Sequence, residues 1–156
     1  MPPVQTPIGL RLAGAARIVR RAFDEALSEA GGSLSVWLVL LNLKIRRPAN
    51  QRELAEAVGV REATLTHHLN AMDSEGLITR RRDTTNRRIH VVELTDAGEE
   101  AFHRLRKAAV AFDQRIRAGI TEKELASLED VLDRLAQNVA ADDEPARWAG
   151  LLEANP

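Results

Sequence analysis

Two short stretches with one apolar face each, joined across Gly59, leave the middle of this chain few ways to fold. Asn50-Gln51-Arg52-Glu53 is a capping-box pattern: a side-chain oxygen, then a glutamate three residues later. The helix it opens is expected to bury Leu54, Ala55 and Val58. Gly59 tolerates the left-handed conformation of a tight turn, and Val60 packs behind it. Arg61 to Ser74 forms the second helix, with Leu65, Leu69 and Met72 inward. Ala55 must be small where the helices touch, while Val58, Val60 and Leu65 lock their angle. Glu75-Gly76 ends the pair.

A hairpin follows. Leu77-Ile78-Thr79-Arg80-Arg81-Arg82 and Arg88-Ile89-His90-Val91-Val92-Glu93-Leu94 are rich in β-branched residues and flank a polar turn, Asp83-Thr84-Thr85-Asn86. Helix, turn, helix and wing is an arrangement that reads DNA. Net charge is only −1, but its distribution is uneven. Between Leu77 and Val92 five arginines stand against one aspartate, whereas nine acids face three bases from Thr121 to Pro156. Such a chain touches phosphate with one face. Neighbouring arginines repel unless a polyanion compensates, so Arg80, Arg82, Arg87 and Arg88 are expected at DNA, one of them in the minor groove. Asp83 is expected to orient one of these arginines. On the second helix, a step of about 100° per residue puts Ala63, His67, Asn70 and Ser74 outward, flanked by Thr64, Thr66 and Ala71. That polar, nearly uncharged face suits hydrogen bonds to base edges, with Arg61 placed to reach phosphate at the helix start.

The flanks are helical. After Thr6-Pro7, read as a cap and a first-turn proline, Ile8, Leu12, Ala15, Ala16, Val19, Phe23 and Leu27 recur on one face until Gly31-Gly32. Ser35 is expected to cap a helix to about Lys44 that is apolar nearly all round and includes Trp37. Thr95 caps a long helix carrying Ala101, Leu105, Ala108, Phe112 and Ile116, broken at Gly119. Thr121-Glu122-Lys123-Glu124 is another capping box, and Leu125, Leu128, Leu132, Leu135 and Val139 follow at helical spacing. The middle is too small to bury all these stripes, so they are expected to pair two copies of the chain. The resulting division is a dimerisation helix over 1–32, a DNA-binding unit over 33–95, dimerisation helices over 96–141 and an acidic tail over 142–156.

Other functional classes lack parts. No cysteine is present, which removes disulfides, thiolate metal ligands and a cysteine nucleophile. No phosphate loop, Gly-x-Ser-x-Gly or histidine cluster at metal spacing occurs, so neither an enzyme nor a cofactor is expected. No apolar run approaches the ~18 residues that span a membrane, and the start does not resemble a signal peptide, so a cytoplasmic location is expected. The competing expectation is a winged-helix interaction or architectural module with no ligand response.

The motifs Leu54-Ala55-Glu56-Ala57-Val58-Gly59-Val60, Ala63-Thr64-Leu65-Thr66 and Glu75-Gly76-Leu77-Ile78 resemble the multiple antibiotic resistance regulator (MarR) family. So do the wing Asp83-Thr84-Thr85-Asn86-Arg87-Arg88 and the exit Val92-Glu93-Leu94-Thr95-Asp96-Ala97-Gly98. The resemblance implies a mainly α (α+β) fold, a winged helix-turn-helix with terminal helices forming a dimerisation domain. It further implies a homodimer on an inverted repeat of double-stranded DNA, most often a repressor relieved by a small phenolic or aromatic ligand. Arg88 matches the wing-tip arginine that enters the minor groove. Asn86 stands where the family usually has an acid that supports the wing arginine, and Arg61 where it often has a small capping residue. The ligand cleft implied by the resemblance lies between the dimer helices and the winged domain. Trp37, His68 and either Arg17 or Arg20 are the residues expected to reach it.

Overall fold

The computed structural model describes residues 6–46, 50–82, 84–85 and 90–140. Helix α1 spans Ile8–Glu29. Pro7 is extended, at ψ 137°, and its carbonyl accepts from Leu10 and Arg11, so the helix opens one residue later than the Thr6-Pro7 pattern implies. It closes at Ala30 and Gly31, the latter at φ +81°. A Cβ on Gly32 would lie 2.6 Å from Leu105 Cδ2, so this turn rests directly on a later helix.

Helix α2, Leu34–Ile45, is capped by Ser33 rather than Ser35. Ser33 Oγ accepts from Val36 N at 3.2 Å, and Asp24 Oδ1, reaching across from α1, accepts from Leu34 N at 2.8 Å. Two acceptors therefore meet the first free N–H groups, which leaves Ser35 inside the first turn. Trp37, Val39, Leu40, Leu41 and Leu43 are all buried, and α2 is the central helix.

Helix α3 spans Gln51–Val58 and α4 spans Glu62–Ser74. Asn50 Oδ1 accepts from Glu53 N at 3.0 Å, and Gly59 takes φ +79° with its N–H on Ala55 O at 2.9 Å. Strands β1, Ile78–Arg82, and β2, His90–Leu94, pair antiparallel, Ile78 opposite Leu94 and Arg80 opposite Val92. Helix α5 runs Asp96–Ile116 and α6 runs Glu122–Val139, separated by Gly119 at φ +79°. Thr121 and Glu124 form a complete capping box.

One core gathers these elements. Leu27, Leu40, Leu54, Leu65, Leu69, Ile78, Phe102 and Leu105 are each at most 2% exposed and come from every element but β2 and α6; Val92 adds β2 at 7%. Phe23 stacks on Phe112 at 4.9 Å, tying α1 to α5. Trp37 stacks on Phe102 at 5.7 Å, and Lys44 donates to Glu99 at 2.8 Å, tying α2 to α5. No α6 side chain is buried against the described residues. Ile8, Val110, Ile116, Leu128, Leu132 and Val139 all stand exposed in the single chain. Among the described residues no single helix is long and apolar enough to cross a membrane.

Candidate nucleic-acid interface

The outer face of α4 is set by what its inner face buries. Leu65, Leu69 and Met72 enter the core. The opposite side therefore carries Ala63, Thr64, Thr66, His67, Asn70, Ala71 and Ser74, every one exposed. Thr66 Oγ1 donates to Glu62 O at 2.9 Å and Ser74 Oγ to Asn70 O at 3.0 Å. Their hydroxyl protons are spent inside the helix, so toward a partner they offer lone pairs. Asn70 offers both donor and acceptor, the pair that matches an adenine edge. Arg61 is the exposed N-cap residue and its side chain makes no capping bond, leaving the guanidinium at the positive end of the helix.

Three residues separate the end of α4 from the start of the β-ribbon. Ile78, Arg80 and Arg82 share the face that carries on from the core, while Thr79 and Arg81 lie on the other. Arg80 donates through Nε at 3.3 Å and Nη2 at 3.1 Å to Asp73 Oδ2, in the last turn of α4, and its side chain is only 24% exposed. On the outer face Arg81 grips Glu93 with a two-point fork, 3.2 and 2.9 Å, across the strands. That hydrogen-bonded, oppositely charged partner holds the Glu93 carboxyl below its ordinary pKa. Arg82 is exposed.

Two of the clustered arginines thus have acidic partners within the chain, which offset part of their mutual repulsion without a polyanion. Arg80 clamps the wing to α4 and Arg81 clamps one strand to the other. Asp73 and Glu93 were not among the expected site residues. Glu93 had a signal: pairing Ile78 with Leu94 sets it diagonally across from Arg81. Asp73 had none, because its contact with Arg80 depends on how the chain turns at Gly76. The remaining wing residues expected to matter, Asp83, Asn86, Arg87 and Arg88, lie outside the described residues, as does the acidic stretch 142–156.

The four residues expected to meet a ligand differ in exposure. Arg17 and Arg20 are exposed on α1, His68 is half-buried on α4, and Trp37 is 4% exposed in α2. Trp37 stacks on Phe102 inside the core, so its ring does not line an open cleft of the single chain.

The MarR family model matches residues 33–90, from the cap of α2 through the wing. A helix-turn-helix-type transcriptional regulator of Bacillus subtilis, YdgJ, is 33% identical over 90 residues, which are 58% of this chain and 55% of that protein. The match therefore spans about half the length of that relative. The solved transcriptional regulator PA3341 is 34% identical and superposes with a TM-score of 0.71 over 84% of this chain and 96% of its own. The transcriptional repressor CouR, solved on a 23-mer DNA duplex, is 27% identical, with a TM-score of 0.74 over 82% of this chain and 91% of its own.

Proposed function

This chain belongs to the MarR family of transcriptional regulators, and from that premise we propose that it is a homodimer that reads an inverted repeat in double-stranded DNA. The observation that carries this proposal is the junction of two different surfaces on one rigid piece. The outer face of α4 offers uncharged hydrogen-bonding groups, and the Asp73–Arg80 clamp fixes beside it a ribbon that displays Arg82. Thr64, Thr66, His67 and Asn70 are assigned to base edges in the major groove. Arg61, Arg82, Arg87 and Arg88 are assigned to phosphate and the adjoining minor groove. Arg80 is assigned to wing position rather than to phosphate.

Two copies are needed because one helix in one groove reads too few base pairs for a genomic site. The exposed stripes on α1, α5 and α6 supply the surface that joins them. The regulatory half of the proposal is repression, relieved by a small aromatic or phenolic ligand. Any such ligand site lies at the seam between α1, α2 and α5, where a second copy changes what the single chain exposes.

Footprinting on the gene's own upstream DNA, followed by binding of the protected duplex across a salt series, tests this. The expected outcome is a protected palindrome whose affinity falls steeply and linearly on a log–log plot as salt rises. Binding that ignores both salt and palindrome would overturn the proposal in favour of a protein-interaction module. Repeating the footprint with phenolic acids tests the ligand: loss of protection is expected, and unchanged protection at millimolar ligand removes that part.

A further inference from the structure

The end of α4 and the start of α5 meet at one hydroxyl. Thr95 Oγ1 donates to Gly76 O at 2.6 Å and accepts from Gly98 N at 3.0 Å. A third bond runs from Thr95 N to Leu77 O at 3.1 Å. Gly76 takes φ +74°, and Leu77 N returns to Met72 O at 2.9 Å, so these carbonyls belong to the closing turn of α4. From the other side, a Cβ on Gly98 would fall on Leu77 O and within 3.3 Å of Leu94 Cδ2. The backbone of α5 is therefore pressed onto the residue that leaves α4.

An ordinary cap satisfies its own helix and no more. Here the capping oxygen also holds a carbonyl 19 residues earlier, in the turn that closes α4, the helix assigned above to DNA. From this joint α5 runs for 21 residues, roughly 30 Å, and its far half carries Val110 and Ile116 exposed. A change of about 10° at one end of such a rod displaces the other by roughly 5 Å, more than the ~3.4 Å between successive base pairs.

We propose that Thr95, seated between Gly76 and Gly98, is the positioning residue that sets the angle of α4 to α5, and hence the half-site spacing the dimer accepts. This rests on the DNA-reading dimer proposed above. Lys44–Glu99 and Trp37–Phe102 hold α5 to α2, whereas the Thr95 hydroxyl links α5 directly to the turn that closes α4.

The test compares the full chain with Thr95→Val and Thr95→Ser. Each is titrated with the footprinted palindrome and with duplexes whose half-sites are moved one base pair closer or farther. Wild type and Thr95→Ser are expected to prefer one spacing. In Thr95→Val, which keeps the shape and loses both hydroxyl bonds, that preference is expected to fall about tenfold. Amide exchange supplies a readout independent of DNA: in Thr95→Val, residues 72–77 and 96–98 are expected to exchange faster together, with sedimentation unchanged. An unchanged spacing preference in Thr95→Val, or faster exchange confined to 96–98, overturns the proposal. A wild type that binds every spacing equally overturns the spacing role, and with paired exchange still seen it places the fault in the DNA-reading premise.

Discussion

Asp73 carries a cost that a DNA-facing helix would otherwise avoid: an acid close to where phosphates are expected. Its partner explains it. With Arg80 bound, the acid is neutralised and the wing is held at the end of α4. An exposed ion pair contributes at most about 1 kcal/mol to folding, so the larger effect should appear in DNA recognition. Replacing Asp73 with Asn removes the clamp and frees a cation. Non-specific binding should strengthen while operator binding weakens, lowering the specific-to-non-specific ratio about tenfold in a competition assay. A ratio equal to wild type would reduce Asp73 to a surface charge.

Glu93 gives a residue-scale test without DNA. Its folded pKa is depressed by Arg81, so the pair's stabilisation is present above the ordinary carboxylate pKa and is lost as pH falls through the lowered value. At neutral pH the ribbon should therefore be insensitive to small pH changes and should loosen only in acid. A carboxyl NMR titration should show Glu93 below the ordinary glutamate value in the wild type and shifted back up toward it in Arg81→Gln; no movement would remove the pair from solution. The arginines were legible in the sequence as a cluster. Their partners were less so, because one depends on strand register and the other on a turn.

Among elements, helix ends that rest on local chemistry were readable in advance. Asn50, Thr95 and Thr121 each cap the helix expected of them, since a cap and its N–H lie three residues apart. The start of α2 was not readable, because Asp24 reaches it from another helix. Two glycines separate local from tertiary demand in the same way. Gly59 needs only its left-handed turn, at φ +79°, so Gly59→Ala should cost about 1 kcal/mol. Gly98 has ordinary helical backbone, yet a Cβ there meets Leu77 O, a backbone atom unable to swing aside. Gly98→Ala should therefore destabilise by at least twice as much in urea unfolding. Equal losses would mean that α5 shifts freely at its first turn, and the joint at Thr95 would then be soft as well.

For the whole molecule, the stripes on α1, α5 and α6 were visible as periodic apolar positions, and the single chain leaves most of them uncovered. Leu128 is 49% exposed, Leu132 37% and Val139 85%. Deleting residues 1–31 would abolish a dimer, but it would also remove Leu27 from the chain's own core, so it confounds assembly with folding. Leu128→Glu with Leu132→Glu separates the two, because no α6 side chain is buried against the described residues of its own chain. Each leucine covered by a partner contributes on the order of 2 kcal/mol, and symmetry counts each substitution twice. The double variant should sediment as a folded monomer with an unchanged helical spectrum. Its reading head should remain intact, so it should still bind a half-site, weakly. The slope of log affinity against log salt should fall to about half that of wild type, since each copy neutralises its own phosphates. A variant that stays dimeric moves the assembly surface off α6. A monomer whose salt slope equals that of wild type would mean that a single copy makes all the phosphate contacts, and that pairing serves something other than the second half-site.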